Sequence, residues 1–421
     1  MSTVRRMSDE ELPRVLELLA QSGGTARTAS SWQHDGMTAL VLGGAEDVQA
    51  VMPLARRKIH VSGGRNLAAG WLSSNQFASK MTWRRQTRST AHAWADLLPE
   101  VDALLVMRRD EPGGPAAWYA QGGFADVLSI RCLYVDMDGP PEPALAPGSA
   151  TAAAGRYQVK VVTPAEGQWQ GRVWQEQMLA VYQDVHGTAG GVMPRHATFW
   201  EAALAHHYYR AHYQFQIIGL WSASADAAAP NLMGYAVVGW SGWHSKRPRM
   251  DILELATRQW DTAVAGELIR TTCQLAWSKS VRQVRAVVSA HDPYRGHLMR
   301  TGFADRWGYV LQAKWLHAQR YLDGVSAQLP KELGDFHLRL AAPGEVPLVA
   351  GRGTPHAPGG TINLQADSAT LTRLLLDRTD ITAALQDGSL LPAAALSDRD
   401  MARLSLAFPW TPWVFHMLDY I

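Results

Sequence analysis

PAAWYAQGGFAD, residues 115–126, and PYRGHLMRTGFAD, residues 293–305, are two versions of one phrase. Both begin with proline, both end in Gly-Phe-Ala-Asp, and both run into a strand-like segment, which marks a duplicated structural unit. Aligned on Gly123-Phe124 and Gly302-Phe303, the phrase sets Tyr119 of the first copy against Leu298 of the second. One copy keeps a hydroxyl where the other has only hydrocarbon.

Working back from the first copy, Ser8 and Glu11 form a capping box and Leu12, Val15, Leu16 and Leu19 recur at helical spacing, so the chain opens with a helix. Strand-type runs follow at Thr38–Leu42, Val48–Pro53, Arg57–Val61 and Ala68–Leu72, with turn signals at Gly43-Gly44 and Gly63-Gly64, and read as an antiparallel meander. The basic stretch Trp83–Arg88 leads into a helix ending at Leu98, then a strand at Val101–Met107. Pro115–Phe124 reads as helix and Ser129–Val135 as strand.

The same order recurs around the second copy. Gln168–Val185 and Ala197–Tyr209 read as helices, Phe215–Trp221 and Gly234–Trp240 as strands, Ala263–Ser278 as helix and Val284–Ser289 as strand. Between the copies, Asp138–Gly155 is rich in Pro, Ala and Gly without apolar periodicity, the composition of an exposed linker. After Pro330 a strand is expected at Phe336–Leu340, then a loop, then a strand at Thr361–Gln365. A helix capped by Asp367 or Ser368 follows to Leu376, and another runs from Asp380 until Gly388 ends it. The expected organisation is α/β (α+β): a first domain at 1–137, a linker at 138–155, a second copy at 156–328, and a smaller α+β domain at 329–421 that ends in the aromatic run FPWTPWVFHMLDYI.

Composition narrows the function classes. With 40 basic against 38 acidic residues, the chain carries no field that would draw it to nucleic acid. Most of the 17 tryptophans sit beside apolar residues, so core and interface packing explains them better than base stacking. Cys132 and Cys273 are far apart and outside any ligand spacing, which indicates neither a disulfide framework nor a metal site and fits a reducing, cytoplasmic setting. Acidic residues stand where a signal peptide needs its apolar region, and no apolar run has membrane-spanning length.

The strand meander, the basic strand-to-helix turn and the A-x-x-Y-x-x-x-G-F segment at Ala116, Tyr119, Gly123 and Phe124 together resemble the GNAT acetyltransferase superfamily. Two such domains followed by a small sterol-carrier-protein-like domain with an aromatic end resemble the Eis (enhanced intracellular survival) group of amine N-acetyltransferases, over essentially the whole chain. The resemblance implies acetyl-coenzyme A as acetyl donor, a primary amine of a small molecule or of a lysine side chain as acceptor, and assembly as a homo-oligomer, a hexamer among the forms. It implies that the strand before the basic turn splays from its neighbour, so that Leu72, Ser73 and Ser74 offer backbone groups to the pantetheine arm. Arg84, Arg85, Gln86, Thr87, Arg88 and Ser89 then surround the pyrophosphate, a place suited to an anion because free N–H groups and the helix dipole meet there.

Two features depart from the family pattern. Thr87 stands where a glycine would let phosphate approach the backbone, and Ser89 takes the second small position. Acidic residues that would meet a polycationic acceptor near the first helix–strand connection are reduced to Asp35, with Arg27 beside it, which argues against an aminoglycoside.

Tyr119 is matched to the family's general acid. A phenol with a reference pKa of about 10 stays protonated at neutral pH and can protonate a departing thiolate, while the bland reading of the same residue is a core aromatic. Trp32 is matched to a wall of the acceptor pocket and fits core packing equally well. The resemblance gives the C-terminal carboxylate, on Ile421 here, a catalytic place beside the first domain's acceptor pocket; the alternative is a tail docked for stability. In the second copy LATRQWDTAVAGEL, residues 255–268, lacks the phosphate turn, so that domain is expected to be a scaffold. A rival reading takes the whole chain as a non-catalytic pseudo-acetyltransferase that binds or assembles, with Thr87 as its motive.

Overall fold

The computed structural model describes residues 4–21, 28–34, 36–44, 48–61, 65–72, 94–110, 119, 122–141, 157–164, 172–187, 189–205, 213–222, 231–241, 248–328, 336–352 and 361–419. The chain enters through β1 (Val4–Arg6) and a short 3-10 turn into the helix Leu12–Gln21, and the capping box expected there is formed: the Ser8 amide donates to Glu11 Oε2 at 2.8 Å. The Arg5 guanidinium also pairs with Glu11 and holds its carboxyl down at about 2.

Three strands then form the meander: β2 (Met37–Gly43), β3 (Val48–His60) and β4 (Asn66–Leu72), each antiparallel to the next. The two runs expected at Val48–Pro53 and Arg57–Val61 are in fact one strand. Proline usually argues against a strand interior because it cannot donate. Here Pro53 lies opposite Ala39 of β2, and the β4 ladder begins one residue later at Leu54, so on that side no described strand calls on the missing N–H.

A crossover through the helix Trp94–Leu97 brings in β5 (Ala103–Arg109), parallel to β4 from Ala69↔Ala103 to Leu72↔Val106. Next come β6 (Ala125–Asp136), β7 (Tyr157–Val162), β8 (Tyr213–Ser222), β9 (Leu232–Ser241), β10 (Met250–Thr257), β11 (Gln283–Ser289) and β12 (Ala304–Trp315). Among these, β7 and β10 were not expected, and β10 shows the reason more clearly. Its run of eight buried residues contains Asp251 and Glu254, which break the apolar pattern. Both acids are matched by partners remote in sequence: Arg285 and Tyr213 bind Asp251, while Arg195, Trp200 and Tyr235 bind Glu254. Charge in a strand interior is tolerated when paired and hydrogen-bonded.

The last part of the chain carries the helix Ala318–Gln328, then β13 (Phe336–Ala341), β14 (Leu348–Arg352), β15 (Thr361–Ala366) and β16 (Leu390–Pro392), joined in the order β14-β13-β15-β16. The stretch read as a loop after Leu340 therefore contains a strand. Helices Ser368–Leu375, Ile381–Gln386 and Asp398–Ala407 pack on this sheet, their N-termini capped by Asp367, Asp380 and Ser397. No helix among the described residues is long and apolar enough to cross a membrane.

The chain divides into two compact units, each built from two stretches: residues 1–129 with 310–412, and 130–309 with 413–421. Two of the three boundaries fall inside β6 and β12, so each of these long strands supplies both units, and the third falls between Pro412 and Trp413. In the first, Arg65 joins the two stretches: its guanidinium reaches Asp377 at 2.5 Å and the Ala407 carbonyl at 3.0 Å, with all three residues buried. In the second, the sheet runs β7-β8-β9-β10-β11 and ends on the Ile130–Asp136 part of β6.

Removing one member of a buried ion pair strands the other, at about 3–5 kcal/mol. Arg65→Met should lower the unfolding free energy of the first unit by about 3 kcal/mol in urea titration; a loss below about 1 kcal/mol would show that Asp377 is held well enough by its other neighbours.

Candidate active site

The repeated phrase folds into the same turn in both units. In the first, the amides of Gly122 and Phe124 both donate to the Tyr119 carbonyl at 3.0 Å, and Gly123 takes φ +80°. In the second, Thr301 and Phe303 both donate to the Leu298 carbonyl at 3.1 Å, and Gly302 takes φ +93°. Glycine is required at both places because a side chain is strained at such angles. Tyr119 and Leu298 thus hold one structural position, and only the first unit has a phenol there.

The Tyr119 ring is 3% exposed and meets Phe124 edge-to-face with centroids 5.5 Å apart. Its apolar cluster includes Trp94, Val106 and Leu72, so the fold brings Tyr119 together with the end of β4. Trp32, on the helix Ala29–His34, is 2% exposed. Ser73, Ser74, Arg84, Arg85, Gln86, Thr87, Arg88, Ser89 and Ile421 lie outside the described residues.

One functional group at this turn was missed in the sequence. Lys314, on the part of β12 that belongs to the first unit, donates from Nζ to the Gly122 carbonyl at 2.7 Å and lies 5.2 Å from the centroid of the Trp94 ring. Burial lowers its pKa. The ammonium fixes the far end of the turn that starts at the Tyr119 carbonyl. Nothing local to Lys314 announces this, because its partner lies almost two hundred residues earlier.

In the second unit the parallel strand pair separates partway along its length. Strands β10 and β11 pair in parallel only from Met250↔Val284 to Ile252↔Ala286, and a bulge against β9 follows between Ile252 and Glu254. Beyond it the strands diverge, and side chains hold the groups exposed by the divergence. The Tyr294 hydroxyl accepts from the Thr257 amide at 2.9 Å and lies 2.8 Å from the Thr257 hydroxyl. At the next helix, Thr262–Ser278, the Asp261 carboxylate accepts from the amides of Ala263 at 2.8 Å and Val264 at 3.1 Å. A helix start carrying its own carboxylate has no attraction for a phosphate. Asp292, whose Oδ1 accepts from the Tyr294 amide at 2.8 Å, is pushed up to about 7 by burial.

Comparison with known proteins gives no matching family model and no matching curated relative. Among solved structures, the chain is similar to a conserved protein of unknown function from Enterococcus faecalis V583, at TM-score 0.64 and 13% identity over 99% of this chain and 98% of that one. It is similar to a GCN5-related N-acetyltransferase from Anabaena variabilis, at TM-score 0.63 and 13% identity over the whole of both chains (100% of each). It is also similar to Eis1 from Mycobacterium abscessus, at TM-score 0.55 and 13% identity over 98% and 99%. The chain therefore has the mixed α/β fold of the GNAT proteins.

A hydrogen bond from a charged donor contributes about 1.5–3 kcal/mol. Lys314→Met keeps the aliphatic stem and removes the donor, so it should destabilise the first unit by that amount and speed hydrogen exchange at the Phe124 amide. Unchanged stability and exchange would mean that the turn holds itself.

Proposed function

We propose that the first unit transfers an acetyl group from acetyl-coenzyme A to a primary amine of a small molecule or a lysine side chain. The observation that carries this reading is the asymmetry of the repeat: one turn, built twice, presents a phenol at Tyr119 and a hydrocarbon at Leu298. The solved structures of this fold that are N-acetyltransferases by name support the reaction class.

In this reading Leu72, Ser73 and Ser74 hold the pantetheine arm through backbone groups, and Arg84, Arg85 and Arg88, with Gln86, Thr87 and Ser89, hold the phosphates. The acceptor ammonium gives one proton to water so that its lone pair can attack the thioester carbon, and the nitrogen releases a second proton to water as the amide forms. A backbone N–H of the strand end takes up the negative charge that develops on oxygen. When the carbon–sulfur bond breaks, Tyr119 supplies the proton that the thiolate needs and regains one from solvent. Trp32 would form an acceptor wall. No covalent enzyme intermediate is involved, so no nucleophile beside a base is needed.

The burial of the Tyr119 ring favours a second reading, a binding or assembly protein without turnover. Transfer assays separate the two. Tyr119→Phe should keep the ring packing and coenzyme affinity and lower kcat by about 10²-fold or more. Equal turnover in the variant would reassign Tyr119 to the core, and absence of acetyl transfer by the parent chain to a broad amine panel would favour assembly.

A further inference from the structure

The C-terminal segment of the chain runs beside the opening between β10 and β11. After Pro412, Trp413 forms a parallel bridge with Gly190, and the Val414 amide donates to the Gly190 carbonyl at 3.0 Å. Gly191, at φ +81°, lets the two backbones meet: a Cβ there would lie 2.9 Å from the Val414 carbonyl oxygen and 3.0 Å from the Trp413 ring. Trp413 is completely buried.

Phe415 and His416 then line a cavity together with Ile252 and Leu255 of β10, Val288 of β11, and Asp292. His416 Nε2 lies 3.1 Å from His186 Nε2, the two rings meeting edge-to-face. Burial pushes His416 down to about 3 and His186 well below the usual imidazole range, so both rings are neutral and one N–H donates to the other's lone pair. Three residues on, Asp419 accepts from Arg195 at 2.5 Å and from the Met193 amide at 3.3 Å. The other face of the same guanidinium binds Glu254 of β10 at 2.6 Å, and its carbon lies 3.6 Å from the centroid of the Phe199 ring.

These contacts have the form of peptide recognition: a buried aromatic anchor, a backbone bridge, a neutral ring pair and a charged end group. In this fold the resemblance puts a coenzyme arm between the diverging strands. Tyr294 and Asp261 have already taken the amide groups such an arm and its phosphates would use. We infer that the opening of the second unit is a peptide site, and that its ligand is the segment Trp413–Asp419 of this chain, seated where the fold elsewhere admits an acyl carrier. The inference does not depend on acetyl transfer by the first unit.

The test uses the full chain with a protease recognition sequence inserted between Pro412 and Trp413, cut after folding. The freed segment should co-elute with the body on gel filtration, and a labelled peptide of residues 413–421 should replace it in a one-to-one, saturable exchange. Peptides carrying Asp419→Asn or His416→Leu should compete at least about 10-fold more weakly, since each leaves a buried partner unmatched. The inference is overturned if the cut segment elutes free while the body keeps its melting transition, if the altered peptides compete as well as the parent, or if acetyl-coenzyme A displaces the peptide in equal proportion. A second measurement needs no insertion. In the uncut chain, Asp419→Asn should speed hydrogen exchange at the Val414 amide about 10-fold while the amides of β8 and β9 keep their rates. Exchange that rises only together with those strands would show that the segment is ordinary core.

Discussion

Beyond Ile252, β10 loses its parallel neighbour, and the backbone groups on that side need partners other than β11. Buried N–H groups are rarely left unpaired, so a diverging pair of strands always has to be completed by something. In the second unit the completion is internal. Tyr294 takes the Thr257 amide, Asp261 takes the start of the following helix, and Phe415 and His416 line the apolar space that is left. The buried charges follow from the same arrangement. Glu254 on the diverging strand is matched by Arg195, and Arg195 is left with a second face that Asp419 occupies. Removing water from such a group is tolerable only when both faces are satisfied.

The same fold in the first unit differs at the positions that matter for chemistry. The Gly-Phe turn is built with the same pair of hydrogen bonds, but the residue that starts it is Tyr119 and its far end is held by Lys314. A rigid turn is a suitable mount for a proton donor, because a general acid acts only when held within reach of the leaving group. The proposed division into donor site and scaffold therefore rests on the side chains at this turn, since its backbone is common to both units.

Much of the framework could be read from the residues. The duplicated phrase marked a duplicated unit, and the structure shows the same turn in both copies, with matching donors and positive-φ glycines. The capping box at Ser8, the helix caps at Asp367 and Asp380 and the stop at Gly388 followed from local chemistry. What escaped depended on distance along the chain. Strand β10 was hidden because Asp251 and Glu254 look like surface residues until Arg285 and Arg195 are placed against them. Lys314 looked like one more strand lysine, and His416 like one more tail residue, because Gly122 and His186 are remote in sequence. The continuity of β3 through Pro53 was hidden for a related reason: whether a missing donor matters depends on where the neighbouring ladder begins.

We propose that one unit admits acyl-coenzyme A and that the other is closed to it by its own side chains and the C-terminal segment. Calorimetric titration of the full chain with acetyl-coenzyme A measures this directly, because the stoichiometry counts open sites whatever the acceptor amine. The account predicts one coenzyme per chain, with binding unaffected by Leu298→Tyr in the second unit. Two per chain, or none at millimolar coenzyme, would contradict it.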